Sequence, residues 1–258
     1  MFPHRFPNRF YHPEYIIARA PSVANDLLAA VPGAAYRRLL GSLDPVTLTL
    51  GEVLYEPGET IRHVYFPGRS LVSLLTLVDG HQALEVGLIG REGMVGIPLV
   101  LGSRVSPVRA LVQGAGPAMR MTSARFLKAF RLSLPLQRKL YQYTHTLMAQ
   151  ISQTAACNRF HVVEQRLARW LLMTHDRVDL DQFRMTQEFL GHMLGVRRVG
   201  VTVAAQALQK RKLISYSRGL IIILDRKGLE AASCRCYQAV RQFDSAAARG
   251  RPPVSAAA

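Results

Sequence analysis

The stretch that decides the fold is 186-TQEFLGHMLGVRRVGVTVAAQALQKRKLI-214, in which Gly195 separates two segments of helical periodicity. Thr186 can cap a first helix, and Glu188 places a negative charge where it favours the helix N-terminus. Gly195 can take a positive φ at little steric cost, so the chain can reverse before a second helix that begins near Arg197. The stretch therefore predicts a helix-turn-helix.

The second helix of this motif is predicted to bury one face and to expose the other. Its apolar residues recur at i, i+3, i+4 and i+7 and should pack inward: Val201, Ala204, Ala205 and Leu208. The residues left facing outward are Arg198, Val199, Thr202, Val203, Gln206 and Gln209. After the helix, 213-LISYSRGLIIILD predicts two strands around 217-SRG, a wing whose turn presents Arg218.

The charge of this region indicates what its exposed face binds. Residues 189–224 contain no Asp or Glu and six Arg and Lys, and the whole chain has 33 Lys and Arg against 17 Asp and Glu, a net charge of +16. Phosphates repel acidic and attract basic side chains, so we expect the second helix to enter the major groove of duplex DNA. The alternative is a plain helical hairpin with a solvated basic face, and the wing argues against it.

The N-terminal half has a different pattern, in which short strands alternate with turns. The predicted strands are 46-VTLTL, 63-HVYF, 71-LVSLLTLV, 83-ALEVGLI, 109-RALV and 117-PAMRM. Turn signals such as 57-PGE and 79-DG separate them, and this spacing is typical of a sandwich or small barrel.

After Pro135 the apolar residues recur every three or four positions, which predicts one long helix. Its apolar stripe must be covered either by the chain's own barrel or by a second copy of the chain. We favour the second copy, because long seams of this kind commonly dimerise. The predicted dimer contacts are Leu136, Leu140, Leu147 and Ile151. Another amphipathic helix follows at 162-VVEQRLARWLLMTH.

This order of elements, together with 166-RLARWLL, 190-LGHMLGVRR, 208-LQKRKLI and 218-RGLIIILDRKGLE, resembles the Crp/Fnr family of bacterial transcription regulators over most of the chain. The resemblance implies an α+β fold: an N-terminal β-roll sensor, which is a double-stranded, jelly-roll-like barrel, then a long dimerisation helix and a C-terminal winged helix-turn-helix. It also implies a homodimer that binds a roughly palindromic DNA site and hinges near the end of the long helix, at 158–161.

The resemblance further implies two kinds of DNA contact. Arg198 occupies the position that reads a guanine in the family, and the other residues of the base-reading surface are Val199, Thr202 and Val203. The residues expected to contact phosphate are Arg197, Gln206, Lys210 and Arg218.

The sensor half departs from the cyclic-nucleotide binders of the family, in which a Gly-Glu pair holds the ribose and an Arg-Ser pair holds the cyclic phosphate. Here Ile97 follows Gly96, and Ala110 follows Arg109, so we expect that cyclic-nucleotide binding has been lost. The oxygen-sensing branch needs cysteines ahead of and within the β-roll to ligate an iron–sulfur cluster, but Cys157 is the first cysteine of this chain.

The sequence shows no constellation typical of an enzyme. Cys234 and Cys236 are separated by one residue, which is tighter than the usual zinc spacing, and the histidines, His161 among them, are scattered. We identify no paired carboxylates and no Gly-rich phosphate loop. We therefore expect a protein that is not an enzyme, with no catalytic residue, no metal and no cofactor.

The predicted organisation is an N-terminal extension (1–35), the β-roll sensor (36–130), the dimerisation helix (131–162), the winged helix-turn-helix domain (163–238) and a flexible basic tail (239–258). In the tail, 249-RGRPPVS resembles the core of AT-hook peptides, which lie in the minor groove of A·T tracts; a flexible solubilising end is the alternative.

The chain lacks an apolar run of ~20 residues and a signal-peptide core, so we expect a cytoplasmic protein with no membrane partner. The expected partners are duplex DNA and a second copy of the chain, with RNA polymerase as a further candidate. The alternative function is a ligand-binding sensor or regulatory subunit whose basic C-terminal half docks a protein or a membrane.

Overall fold

The computed structural model of the chain describes residues 24–78, 82–178 and 180–249. Its elements, in chain order, are α1 (Asp26–Ala29), α2 (Gly33–Leu40), β1 (Asp44–Leu48), β2 (Val53–Tyr55), β3 (His63–Pro67), β4 (Leu71–Val78), β5 (Gln82–Ile89), β6 (Arg109–Gly114), β7 (Gly116–Thr122), α3 (Ser123–Leu132), α4 (Leu134–Phe160), α5 (Val163–Val178), β8 (Gln182–Arg184), α6 (Gln187–Leu194), α7 (Arg198–Lys210), β9 (Ile214–Ser217), β10 (Leu220–Ile223), α8 (Arg226–Ala232) and α9 (Cys236–Arg249). The α+β class and the predicted order of a β-rich half, a long helix and a helix-turn-helix with its wing are confirmed.

The β-rich half consists of two antiparallel sheets, with strand orders β1-β7-β3 and β2-β6-β4-β5. Side chains such as Leu48, Phe66, Val72, Val112 and Met121 belong to one buried core of this half. Within the described ranges the two sheets stay separate, so closure of the expected barrel is not seen. The sequence pattern missed β2, which has only three residues and a register shift against β6.

Helix α4 covers this core with the very side chains that we predicted to face a second copy. Leu136, Leu140 and Leu147 are buried in the chain's own core, and Ile151 packs against it, partly buried. Gln150 strengthens the attachment, because its side chain accepts a hydrogen bond from the Leu88 N–H (2.7 Å) and donates one to the Leu88 carbonyl (3.3 Å). The predicted dimer contacts are corrected accordingly: the apolar stripe is buried in the chain's own core, where Leu147 and Ile151 lie beside Gly87 of β5.

The C-terminal half packs α5 to α8 around a three-stranded sheet of order β8-β10-β9. Its core contains Leu167, Leu171, Leu190, Val201 and Leu208 and continues onto side chains of the larger N-terminal sheet, including Leu71, Leu75 and Leu88. At this junction the Trp170 Nε1–H donates to Glu85 Oε1 at 2.9 Å. This second core therefore spans the junction between the two halves.

Helix α9 occupies the first part of the segment predicted as a flexible tail. It packs on α4 and α5 and buries Tyr237 and Val240, so its apolar residues hold it against the protein. Residues 250–258, which include most of the AT-hook-like segment, lie outside the described residues. No helix of the described ranges has the length and hydropathy that a membrane span requires.

Candidate nucleic-acid interface

The turn between α6 and α7 has the geometry that the sequence predicted. Thr186 accepts a hydrogen bond from the Phe189 N–H at 3.1 Å and caps α6, and Gly195 ends that helix with φ at 61°. The Gly195 and Val196 N–H groups return to carbonyls of α6, which is the Schellman arrangement. A Cβ on Gly195 would lie 2.7 Å from Leu84 Cδ1, so this turn also packs tightly against β5.

Helix α7 divides into the two faces expected of it. Val201, Ala204, Ala205 and Leu208 are buried, whereas Arg198, Val199, Val203, Gln206 and Lys210 are exposed and Thr202 is half-buried. Val199 and Val203 are 66% and 61% exposed, which leaves two apolar contacts free on this surface. Gln209 differs from the prediction, because its Oε1 accepts a hydrogen bond from the Tyr216 N–H and joins the helix to β9.

The first turn of α7 offers unbonded N–H groups to solvent. Arg197 is the N-cap residue, and its side chain makes no capping hydrogen bond. The positive end of the helix dipole and the free N–H groups of the first turn together attract anions. Arg197 and Arg198 add two exposed guanidiniums at the same place.

Gln187 positions part of this surface, and no pattern in the sequence indicated this role. Its Oε1 accepts hydrogen bonds from Thr202 Oγ1 at 2.9 Å and from Arg198 Nε at 3.5 Å. Because Gln187 belongs to α6 and its two partners to α7, this contact depends on how the helices cross. Periodicity within either helix could not reveal it.

The wing is a hairpin with a two-residue turn. Ser217 pairs with Leu220, and the turn residues Arg218 and Gly219 have φ values of 49° and 79°. Arg218 is exposed at the tip. Tyr216 anchors the hairpin: its hydroxyl donates to the Met185 carbonyl at 2.7 Å, and burial raises its pKa to about 12. The third strand, β8, pairs with β10 and was not predicted.

Electrostatically, every charged side chain of α7 and of the wing turn is basic. Of the cationic side chains in this region, Arg211 forms an ion pair with Glu164 at 3.0 Å. The predicted phosphate contacts Arg197, Gln206, Lys210 and Arg218 all lie exposed on α7, at its N-cap or at the tip of the wing. The fold thus places the predicted base-reading and phosphate-contacting residues on neighbouring elements.

The resemblance equates Ile97 and Arg109 with residues that hold the ligand in cyclic-nucleotide binders. In this chain the first side chain is apolar, and the second is paired with Glu56. Ile97 is buried in a short 3₁₀ turn that follows Gly96. The Arg109 side chain is 11% exposed, and its Nε donates to Glu56 Oε2 at 2.8 Å.

Comparison with known proteins agrees with this description. Residues 165–232 match the Crp-like helix-turn-helix domain. No curated protein matches the chain. Among solved structures, FixK2 of Bradyrhizobium japonicum is 16% identical, with a TM-score of 0.64 over 74% of this chain and 98% of its own. The c-di-GMP responsive global regulator CLP of Xanthomonas campestris is 16% identical, with a TM-score of 0.61 over 74% of this chain and 98% of its own.

A Crp family transcriptional regulator from Thermus thermophilus is 15% identical, with a TM-score of 0.62 over 73% of this chain and 96% of its own. At these identities the likeness establishes the fold, and it extends over nearly the whole of each relative. Residues 165–232 are therefore a Crp-like helix-turn-helix domain, in a chain that has the overall fold of the Crp/Fnr family of transcription regulators.

Proposed function

We propose that this protein is a sequence-specific, DNA-binding transcription regulator in which α7 enters the major groove and the β9–β10 wing contacts the backbone. The observation that carries the proposal is the exposed face of α7. That face is basic, carries no carboxylate, begins with an uncapped helix N-terminus, and lies within a Crp-like helix-turn-helix domain. An acid-free convex helix of this kind matches the shape and charge of the groove.

Base readout is assigned to Arg198, Val199, Thr202 and Val203. Arg198 can donate two parallel hydrogen bonds to the O6 and N7 atoms of a guanine, and Gln187 orients its guanidinium for this contact. The exposed isopropyl groups of Val199 and Val203 suit the C5-methyl group of thymine. We therefore expect a half-site that contains guanine beside thymine.

Backbone contacts are assigned to Arg197, Gln206, Lys210 and Arg218. These residues and the free N–H groups at the start of α7 would bind phosphate oxygens and set the register of the protein on the duplex. Such contacts carry no base information, so each should contribute equally to specific and non-specific binding.

We place the homodimer interface on the outer face of α4. Leu134, Tyr141 and Met148 are exposed at intervals of seven residues, which is the spacing of a coiled-coil seam. The stripe toward the core is already covered by the chain itself, so this outer seam is the part of α4 that remains for a second copy. Two recognition helices related by a two-fold axis would read a roughly palindromic site with half-sites about 34 Å apart.

The sensor half is proposed to have lost cyclic-nucleotide binding. The buried side chain of Ile97 has no atom that could form a hydrogen bond with a ribose. Arg109 forms an ion pair with Glu56, which neutralises at least part of its charge. A regulator, not an enzyme, is the role that this arrangement supports.

The test of DNA recognition is selection of random duplexes by the purified protein at physiological salt, followed by titration of the enriched site and of a scrambled duplex. Arg198→Ala should weaken the enriched site by roughly 5- to 150-fold, the equivalent of 1 to 3 kcal/mol, with a much smaller effect on scrambled DNA. Lys210→Ala is the matched control and should weaken both duplexes similarly, with a shallower salt dependence. Equal losses on both duplexes with Arg198→Ala would show that the recognition face is misplaced. If added duplex DNA did not compete with another partner for the basic C-terminal half, docking to a protein or membrane would be favoured.

The test of the dimer interface is the molar mass in solution by light scattering. Met148→Glu introduces a charge into the outer seam and should convert dimer to monomer at micromolar concentration. Leu132→Glu changes another exposed apolar side chain, on α3, and should leave the mass at that of a dimer. A monomeric wild-type protein, or a Met148→Glu variant that remains dimeric, would reject this interface.

A further inference from the structure

Four potential metal ligands that are far apart in the sequence meet where α4 ends. Cys157 lies in the last turn of α4, His161 directly follows that helix, and Cys234 and Cys236 flank the start of α9. The three sulfur atoms and a ring nitrogen of His161 all lie within 4.8 Å of one another. The sequence argued against a metal because Cys234 and Cys236 are separated by one residue and the histidines are scattered, but folding brings these four side chains together.

Two of the distances within this cluster match those around a single four-coordinate ion, and all of them are within 4.8 Å. Cys157 Sγ lies 3.5 Å from Cys234 Sγ, and Cys236 Sγ lies 3.5 Å from His161 Nδ1. In a tetrahedron with zinc–sulfur bonds of about 2.3 Å and zinc–nitrogen bonds of about 2.0 Å, the corresponding edges are about 3.8 and 3.5 Å. An iron–sulfur cluster distributes its ligands over several irons and spreads them further apart. The cluster therefore has the dimensions of a mononuclear site.

The surroundings also suit a thiolate centre. All three cysteines are buried and unoxidised, and they form a group separate from the two main cores. Arg166 and Arg169 are buried nearby and interact electrostatically with Cys157. Among the described residues neither guanidinium lies within 4.0 Å of a carboxylate oxygen, and neither Nε has a hydrogen-bond partner.

Buried cations are costly unless negative charge lies nearby. Glu85 interacts electrostatically with Arg169, and a thiolate centre would place further negative charge beside both arginines. Three thiolates and one neutral imidazole around Zn²⁺ carry a single net negative charge. The thiol protons would be released to solvent when the ion binds.

We infer that Cys157, His161, Cys234 and Cys236 form a structural zinc site that clamps the end of the long helix to the start of α9. Cys₃His is an established ligand set for structural zinc, and soft thiolates favour zinc over calcium or magnesium. The clamp would span the His161–Val162 connection between α4 and α5, which is the link from the long helix to the DNA-binding half. A bound ion would therefore restrain the orientation of that half.

The first test is the metal content of the full-length protein, purified under reducing conditions from zinc-supplemented cells. We expect one zinc per chain by mass spectrometry. Protein stripped by a chelator and titrated with Co²⁺ should develop thiolate-to-cobalt charge-transfer absorption and tetrahedral d–d bands that saturate at one equivalent. His161→Ala and Cys234→Ser should lose most of the tight binding, and His63→Ala, which changes a histidine on β3, should retain it.

A second measurement uses the wild-type protein alone and does not depend on the folding of the variants. Chelation of zinc should lower the melting temperature of the native protein, and one equivalent of added zinc should restore it. The inference is overturned if the wild-type protein contains no zinc and the stripped protein takes up no Co²⁺. A Co²⁺ spectrum without thiolate charge transfer, an iron–sulfur chromophore, or a Cys157–Cys234 disulfide in place of metal would also overturn it. Neither readout involves DNA, so failure of the DNA-binding proposal would leave this result intact.

Discussion

Replacing Glu85 with Gln is expected to stabilise the protein above pH 7 and to leave its stability nearly unchanged near pH 5. Glu85 lies at the junction of the two halves, where its Oε1 accepts from Trp170 Nε1 and its Oε2 contacts Ser73 Oγ at 2.7 Å. Ser73 Oγ also contacts Gln113 Oε1, and its single proton can satisfy only one of these two oxygens. A protonated Glu85 supplies the missing donor.

Burial raises the pKa of Glu85 from its ordinary value of 4.5 to about 7, although the hydrogen bonds from Ser73 and Trp170 and the charges of Arg169 and Arg177 oppose the shift. The folded protein therefore holds this proton more tightly than the unfolded chain does. Its stabilising contribution is complete below pH 4.5 and is lost as the pH rises through about 7. One unit of pKa is equivalent to about 1.36 kcal/mol, so the difference between the two pKa values of Glu85 corresponds to roughly 3 kcal/mol of unfolding free energy. Most of this stabilisation is lost between about pH 5 and 8.

Gln is the neutral isostere of the protonated acid, so it should keep the hydrogen bonds and remove the pH dependence. The assay is denaturant unfolding of wild type and Glu85→Gln at pH 5 and pH 8, at one fixed protein concentration. We expect similar midpoints at pH 5 and an advantage of about 2 to 3 kcal/mol for the variant at pH 8. Glu188→Gln changes an exposed carboxylate on α6 and serves as the control. A difference between wild type and Glu85→Gln that does not change with pH would refute the reasoning.

Three further predictions concern the helix-turn-helix. Lys212 directly follows the C-cap of α7 and has φ at 57°, so Lys212→Gly should raise the unfolding free energy by about 1 kcal/mol, whereas Lys212→Ala should give no such gain. Gly195→Ala places a Cβ in left-handed backbone and against Leu84 and should cost roughly 1 to 2 kcal/mol in the same assay; an unchanged midpoint would contradict the turn geometry. Gln187→Ala removes the acceptor shared by Thr202 and Arg198. In a binding titration it should lower the affinity for the selected DNA site by about 3- to 10-fold and change the affinity for scrambled DNA little. The free energy of unfolding should fall by no more than about 1 kcal/mol.

Local signals were sufficient to predict the recognition motif. The Thr186 cap, the positive φ of Gly195 and the inward face of α7 are governed by interactions within a few residues, and the structure shows all three. The strands of the N-terminal half were found for the same reason, except for the short β2, and in the C-terminal half the short β8 was missed. The prediction for Gln209 was wrong because its partner, Tyr216, lies on the neighbouring strand and is set by packing.

The sequence by itself determined the order of the elements, the helix-turn-helix with its wing, and the basic surface, because periodicity, capping and charge are local properties of a chain. It showed that α4 has an apolar stripe, but only the tertiary structure decided that Leu140 and its neighbours are buried in the core of the same chain. Only the fold brought Cys157 to Cys234, 77 positions away, and Glu85 to Trp170, 85 positions away. Contacts of this kind depend on how whole elements pack, and no local pattern encodes the surface that a given side chain meets.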